Sequence, residues 1–139
     1  MNIRMHASTV VFERKGVLIT GPAGSGKSGL ALELMSRGAK LVSDDCTEIT
    51  LRDGLPWAMP HNKLEGMIEA RGIGILAADN VPGTYINLVI DLSKTTDERT
   101  PKNLTTAICG RDIPTLHKVE SRYFAAAITQ YLKGGKVDI

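Results

Sequence analysis

The 139-residue sequence predicts an α/β fold, a mixed sheet with flanking helices, on three observations. Short runs rich in β-branched residues recur along the chain, an amphipathic segment follows the second of them, and a glycine-rich octapeptide joins the two. Strand, glycine-rich turn and helix in that order open a βαβ unit. Length and composition agree with a single domain over residues 1–139. Hydrophobic residues make up 42% and charged residues 23%, enough apolar surface to fold without disulfides or a structural metal.

The elements follow in order. Ala7-Ser8-Thr9-Val10-Val11-Phe12 reads as a strand, Glu13-Arg14-Lys15-Gly16 as a polar turn, and Val17-Leu18-Ile19-Thr20 as a second strand. An antiparallel hairpin centred near Arg14 sets His6 opposite the residues just after Thr20. Over residues 27–37 the spacing of Leu30, Ala31, Leu34 and Met35 predicts a helix that Gly38 stops. Lys40-Leu41-Val42-Ser43 is then a buried strand, parallel to the strand before the helix. Residues 47–52 and 55–59 form a hairpin around Asp53-Gly54, with Pro56 expected to push the second strand to an edge. Residues 60–65 read as loop, 86–92 as a strand, 93–106 as a mobile polar surface segment, and 121–132 as a helix with Phe124, Ala127, Ile128 and Tyr131 on one side. The apolar side of residues 123–131 is expected in the core.

Several function classes are excluded. A net charge of +2 argues for neither nucleic acid nor an anionic membrane as partner. No run reaches the roughly 18 apolar residues of a membrane span, and residues 1–6 lack a signal-peptide core, so a cytoplasmic location is expected. Cys46 and Cys109 have neither disulfide nor metal-ligand spacing and read as buried thiols. His61 and His117 sit in polar contexts and read as solvent-facing.

The strongest signal is Gly21-Pro22-Ala23-Gly24-Ser25-Gly26-Lys27-Ser28, which fits the phosphate-loop pattern G-x-x-x-x-G-K-[ST] at every specified position. Its glycines let successive backbone N–H groups turn inward onto phosphate oxygens, and the helix start adds partial positive charge. Lys27 reaches the terminal phosphates and the Ser28 hydroxyl coordinates Mg²⁺, so ATP with Mg²⁺ is the expected ligand.

Asp44 and Asp45 directly follow the strand of residues 40–43 and so share the sheet edge with the loop. One carboxylate there can hold Mg²⁺ and the second is free to take a proton from an attacking hydroxyl. Turn chemistry is the alternative, since paired Asp also begins loops. His6, across the hairpin from Gly21 or Pro22, is either a phosphate contact or a surface histidine at a strand end.

Together, Gly16-Val17-Leu18-Ile19-Thr20 with the loop, Leu32-Glu33-Leu34, Arg37-Gly38 and Leu41-Val42-Ser43-Asp44-Asp45 resemble the catalytic domain of HPr kinase/phosphorylase. Ile68-Glu69-Ala70-Arg71-Gly72-Ile73-Gly74-Ile75-Leu76 resembles that family's signature stretch. The resemblance implies a P-loop kinase-like core of the phosphoenolpyruvate-carboxykinase type. It also implies a bifunctional enzyme that phosphorylates a serine of HPr, the small carrier protein of the phosphotransferase system, with ATP or pyrophosphate. The reverse step removes that phosphate by attack of inorganic phosphate. By the same resemblance Ser28 and Glu69 are Mg²⁺ ligands beside Asp44, and Asp45 exchanges the serine proton. His6 matches the family's histidine before the loop, and Arg99 matches a catalytic arginine on a mobile segment. His6, Arg71 or Arg99 would help hold the second anion of the reverse step. The family assembles as hexamers whose last helix meets HPr, and its long members carry an N-terminal domain, so a shortened form is expected. Gly29 stands where the family has Glu, and residues 113–122 keep little of a basic stretch tied to dephosphorylation. A small-molecule P-loop kinase or nucleoside-triphosphatase, and a non-catalytic ATP-sensing module, are the alternatives.

Overall fold

A computed structural model describes residues 2–61 and 65–137. In chain order the elements are β1 (Ile3–Met5), β2 (Ala7–Phe12), β3 (Lys15–Thr20), α1 (Lys27–Ser36), β4 (Lys40–Ser43), β5 (Thr47–Arg52) and β6 (Leu55–Pro60). There follow β7 (Met67–Ala70), β8 (Gly74–Ala77), β9 (Thr84–Thr95), β10 (Leu104–Ile108), β11 (Arg111–Lys118) and α2 (Phe124–Gly134). Nine strands form one mixed sheet in the order β1-β5-β6-β9-β3-β2-β4, with β11 also on β9 and β10 on β11, while β7 and β8 pair only with each other.

The hairpin of β2 and β3 forms in the expected register, Ala7 opposite Thr20 and Phe12 opposite Lys15, so His6 stands level with the start of the glycine-rich loop. Its two turn residues, Glu13 and Arg14, both take positive φ (54° and 90°). That suits the right-handed twist of a two-residue hairpin but is costly for side chains that carry a Cβ. The turns Asp53-Gly54 and Cys109-Gly110 repeat the geometry with glycine at the second position.

β3 and β4 are parallel, as the βαβ reading requires, but they do not pair. β2 lies between them, antiparallel to both. The carboxyl ends of β3 and β4 therefore still share an edge, one strand apart. Pro56 does not place β6 at an edge either: β6 pairs with β5 along its length and with β9 at Trp57 and Ala58. Pro56 sits one residue outside that short second ladder, where its missing N–H is not needed.

The twelve-residue β9 meets β6 at its first two residues and runs parallel to β3 over residues 86–91 and to β11 further on. It thus extends through Thr95, and residues 104–106 belong to β10, so only 96–103 of the expected mobile stretch lies outside strands. Part of the expected loop at 60–65 lies outside the described residues; Pro60 itself ends β6.

Apolar side chains separate by strand alternation into two layers. On one face Val17, Ile19, Leu88 and Ile90 meet Leu30, Ala31 and Leu34 of α1 and Ala125, Ile128 and Leu132 of α2. On the other, Leu18 and Val89 are covered by Ile49, Ala58, Ile108 and Ile113 from the outer strands. The core face of α2 is thus Ala125, Ile128 and Leu132, while Phe124 and Tyr131 are half-buried and Ala127 is exposed. Cys46 and Cys109 are unpaired and half-buried, not buried; His61 and His117 are half-buried, not solvent-facing. His61 Nδ1 lies 3.5 Å from Glu48. Among the described residues no helix is long and apolar enough to cross a membrane.

Candidate active site

The loop 21–28 leaves β3 with Gly21, Gly24 and Gly26 at positive φ (151°, 81° and 100°), a region that favours glycine, and at Gly21 a Cβ would also meet Ser25 Oγ at 2.6 Å. Gly26 caps α1 without any side-chain hydrogen bond, and the first turn carries no acidic residue. The free N–H groups of the helix start therefore face the loop with no side-chain cap among the described residues, the arrangement that receives an anion. Ser25 Oγ is buried there without a hydrogen-bond partner among the described residues. Lys27 is only 5% exposed, and its ammonium donates to the carbonyls of Gly21 (2.9 Å) and Pro22 (3.2 Å), folding the loop around itself. The residues fit a polyphosphate.

The twin aspartates arrive from β4 and have different surroundings. Asp44 is 6% exposed and acts as a hub. Its Oδ1 accepts hydroxyls from Ser28 (2.7 Å) and Ser8 (2.8 Å), and its Oδ2 accepts the backbone N–H of Glu69 (3.1 Å). Asp45 is exposed and takes a left-handed backbone (φ 65°), uncommon for a residue with a side chain. Its Oδ1 lies 3.9 Å from Lys27 Nζ and 3.6 Å from His6 Nδ1. His6, Lys27 and Asp45 thus converge at one point, and the hairpin register is what brings His6 there.

A cleft of about 600 Å³ runs from the loop to the β7–β8 hairpin. Lys27, Ser28, Asp44 and Asp45 form one wall; Met67, Glu69, Arg71 and Ile75 form the other. The signature stretch is therefore a strand pair facing the phosphate loop. Ser28, Asp44 and Glu69 offer oxygen donors, the type that Mg²⁺ takes while keeping several waters. Their chemistry fits that ion, although no cluster of three metal-ligating His, Cys, Asp or Glu side chains occurs among the described residues.

Two sequence expectations fare differently. Arg99 is not among the residues that line the cleft; it is exposed, in 96–103, and has no hydrogen bond or ion pair with another described residue. Arg71 does line it. Ser8 was legible only as one residue of a strand, because its partners Asp44 and Asp45 are 36 and 37 positions away. Beside the loop strand, Asp91 stands opposite Thr20. Burial favours its protonated form, but the hydrogen bonds from Ser93 N–H (2.9 Å) and hydroxyl (2.6 Å) outweigh this and hold the carboxyl below its ordinary 3.8.

Comparisons with known proteins find matches to one family. A family model described as the HPr serine kinase C-terminal domain matches residues 1–119. The HPr kinase/phosphorylase of Xylella fastidiosa (strain M12) is 45% identical over 95 residues, 62% of this chain and 30% of that protein. That of Xanthomonas campestris pv. campestris (strain B100) is 40% identical over 108 residues, 71% of this chain and 34% of that protein. The chain thus spans about a third of the length of these relatives. The solved HPr(Ser) kinase/phosphatase of Coxiella burnetii superimposes with a TM-score of 0.80 at 27% identity, covering 94% of this chain and 88% of that one.

Proposed function

Because the chain belongs to the HPr serine kinase C-terminal domain family, we propose that it transfers the terminal phosphoryl group of ATP to a serine of HPr. The observation that carries this reading is the 3.9 Å approach of Asp45 to Lys27, a proton acceptor set beside the phosphate cradle. The serine oxygen attacks the terminal phosphorus, the bond to the departing ADP breaks, and Asp45 takes the hydroxyl proton. Lys27 and the N–H groups of residues 21–28 neutralise the phosphate charge, which is most of what phosphoryl transfer asks of a protein. Ser28, Asp44 and Glu69 would hold Mg²⁺, which when bound spreads the charge that develops on the phosphate oxygens.

The same site supports the reverse reaction. Inorganic phosphate attacks the phosphoserine phosphorus, the bond from phosphorus to the serine oxygen breaks as pyrophosphate forms, and Asp45 returns a proton to that oxygen. His6, 3.6 Å from Asp45, and Arg71 on the far wall are the side chains available to hold the second anion. Arg99 enters through the family resemblance; an Arg99→Ala protein with full activity in both directions removes it from the reaction. Assembly into a hexamer and work in the cytoplasm belong to the same reading, and sedimentation of the purified chain tests the first.

The deciding experiment incubates the protein with HPr, Mg²⁺ and γ-labelled ATP, maps the phosphorylated residue, then adds phosphate. Phosphoserine on HPr, lost on adding phosphate, is the expected result. ATP turnover without HPr would point to a small-molecule kinase or nucleoside-triphosphatase. Tight nucleotide binding with no turnover would point to a sensor.

A further inference from the structure

Ser8 is fully buried at the point where the pairing of β2 with β4 gives out. The ladder's last register position is Thr9 with Ser43, and beyond it the Ser8 side chain makes the connection. Its hydroxyl has one proton and two lone pairs, and both functions are used. The proton goes to Asp44 Oδ1 at 2.8 Å, and a lone pair accepts the backbone N–H of Asp45 at 3.1 Å. One side chain therefore holds the carboxylate of the first aspartate and the main chain of the second.

We propose that Ser8 is a positioning residue for the phosphoryl-transfer site. It orients Asp44 toward Ser28 and pins Asp45 in the left-handed conformation from which its carboxylate meets Lys27 and His6. Two facts favour this role over simple packing. The Ser8 hydroxyl is bonded in both its functions, so an apolar residue there would leave the Asp44 carboxylate and the Asp45 N–H each short of a partner. The φ of 65° at Asp45 is uncommon for a non-glycine residue and persists only where surrounding bonds impose it. The Ser8 hydroxyl supplies the hydrogen bond to that residue's N–H. The inference rests on the phosphotransferase reading for its consequence, though not for its geometry.

The test compares Ser8→Val with Ser8→Thr, which share a β-branched shape and differ in the hydroxyl. Ser8→Ala replaces Val if the Val protein does not fold, as judged by circular dichroism. Ser8→Thr is expected to stay within about threefold of the parent throughout. Ser8→Val is expected to lose roughly tenfold or more in kcat, with the KM for HPr unchanged, as happens when a supporting hydrogen bond is removed. Calorimetry of ATP binding gives a readout independent of HPr: the gain in affinity on adding Mg²⁺ shrinks in Ser8→Val, while metal-free ATP binding stays the same. A Val protein equal to the parent in both assays, or Thr and Val proteins equally impaired, overturns the proposal. If the parent itself fails to phosphorylate HPr, the functional reading falls, and the Mg²⁺-dependent binding comparison alone decides the role of Ser8.

Discussion

The Ser28 hydroxyl meets Asp44 Oδ1 at 2.7 Å, joining the first turn of α1 to the end of β4. With the Ser8 hydroxyl and the Glu69 N–H on the same carboxylate, β2, α1, β4 and β7 all meet at Asp44. Asp45, next in the chain, is exposed beside Lys27. Neighbours in sequence thus differ: one carboxylate is a buried, hydrogen-bonded node and the other stands exposed beside the loop lysine.

That difference predicts the behaviour of Asp45→Asn. The amide keeps the size but cannot take a proton, so transfer to HPr should fall by about two to four orders of magnitude. Nucleotide affinity should stay near that of the parent, since the phosphate cradle is untouched. Labelled-phosphate transfer and equilibrium ATP binding, measured on the same preparation, check both halves. An unimpaired variant would remove Asp45 from the reaction.

Lys27→Ala should act on binding as well as on turnover. The ammonium that holds the Gly21 and Pro22 carbonyls is lost together with its charge. ATP affinity should weaken by roughly tenfold or more, the scale of a charge-assisted contact worth about 1.5–3 kcal/mol. Titration with a fluorescent ATP analogue measures it.

Gly16→Ala tests the packing behind the loop. A Cβ there would lie 1.9 Å from the carbonyl oxygen of Tyr85, at the register shift between β3 and its parallel neighbour β9. Backbone has to move, and a loss of about 3 kcal/mol is expected, at the upper end for overpacked sites. The urea midpoint should drop; an unchanged midpoint would contradict the close strand approach.

The first hairpin offers a gain instead. Glu13 and Arg14 both hold positive φ at roughly 1–2 kcal/mol per residue. Replacing them with Asn and Gly should raise stability by about 1–2 kcal/mol and the melting temperature by several degrees. Calorimetric melting of the double variant, Glu13→Asn with Arg14→Gly, reads the gain.

Asp91 gives a pH dependence with a definite sign. Its carboxyl is held below the ordinary 3.8, so its contribution is present above that pH and lost as pH falls through the depressed folded value. Ser93→Ala removes the hydroxyl that Asp91 accepts. Its stability cost should therefore be larger at neutral pH than in acid, as paired denaturation curves would show.

The loop, its helix and the strand after it were legible because their signals are local: glycine spacing, apolar periodicity and a stop at Gly38. The hairpin turn near Arg14 was enough to foresee where His6 falls. What the sequence hid is long-range. No local pattern shows that β2 separates β3 from β4, or that a serine of β2 serves the aspartates after β4. The β10–β11 hairpin was missed because the polar run before it masked the alternation, although Cys109-Gly110 is a turn signal of the same kind as Asp53-Gly54. The apolar side of α2 was assigned to the core as a whole, yet Tyr123 is exposed and Phe124 and Tyr131 lie half-buried at the margin of the core.

The last helix has a practical consequence for anyone trimming this domain. The family match stops at residue 119, yet Ala125, Ile128 and Leu132 fill the same layer as Leu30 and Leu34 beneath the phosphate loop, and Lys15 donates to the carbonyl of Leu132. An expression boundary drawn at the end of the match would uncover that apolar layer and leave a sticky, poorly folding product.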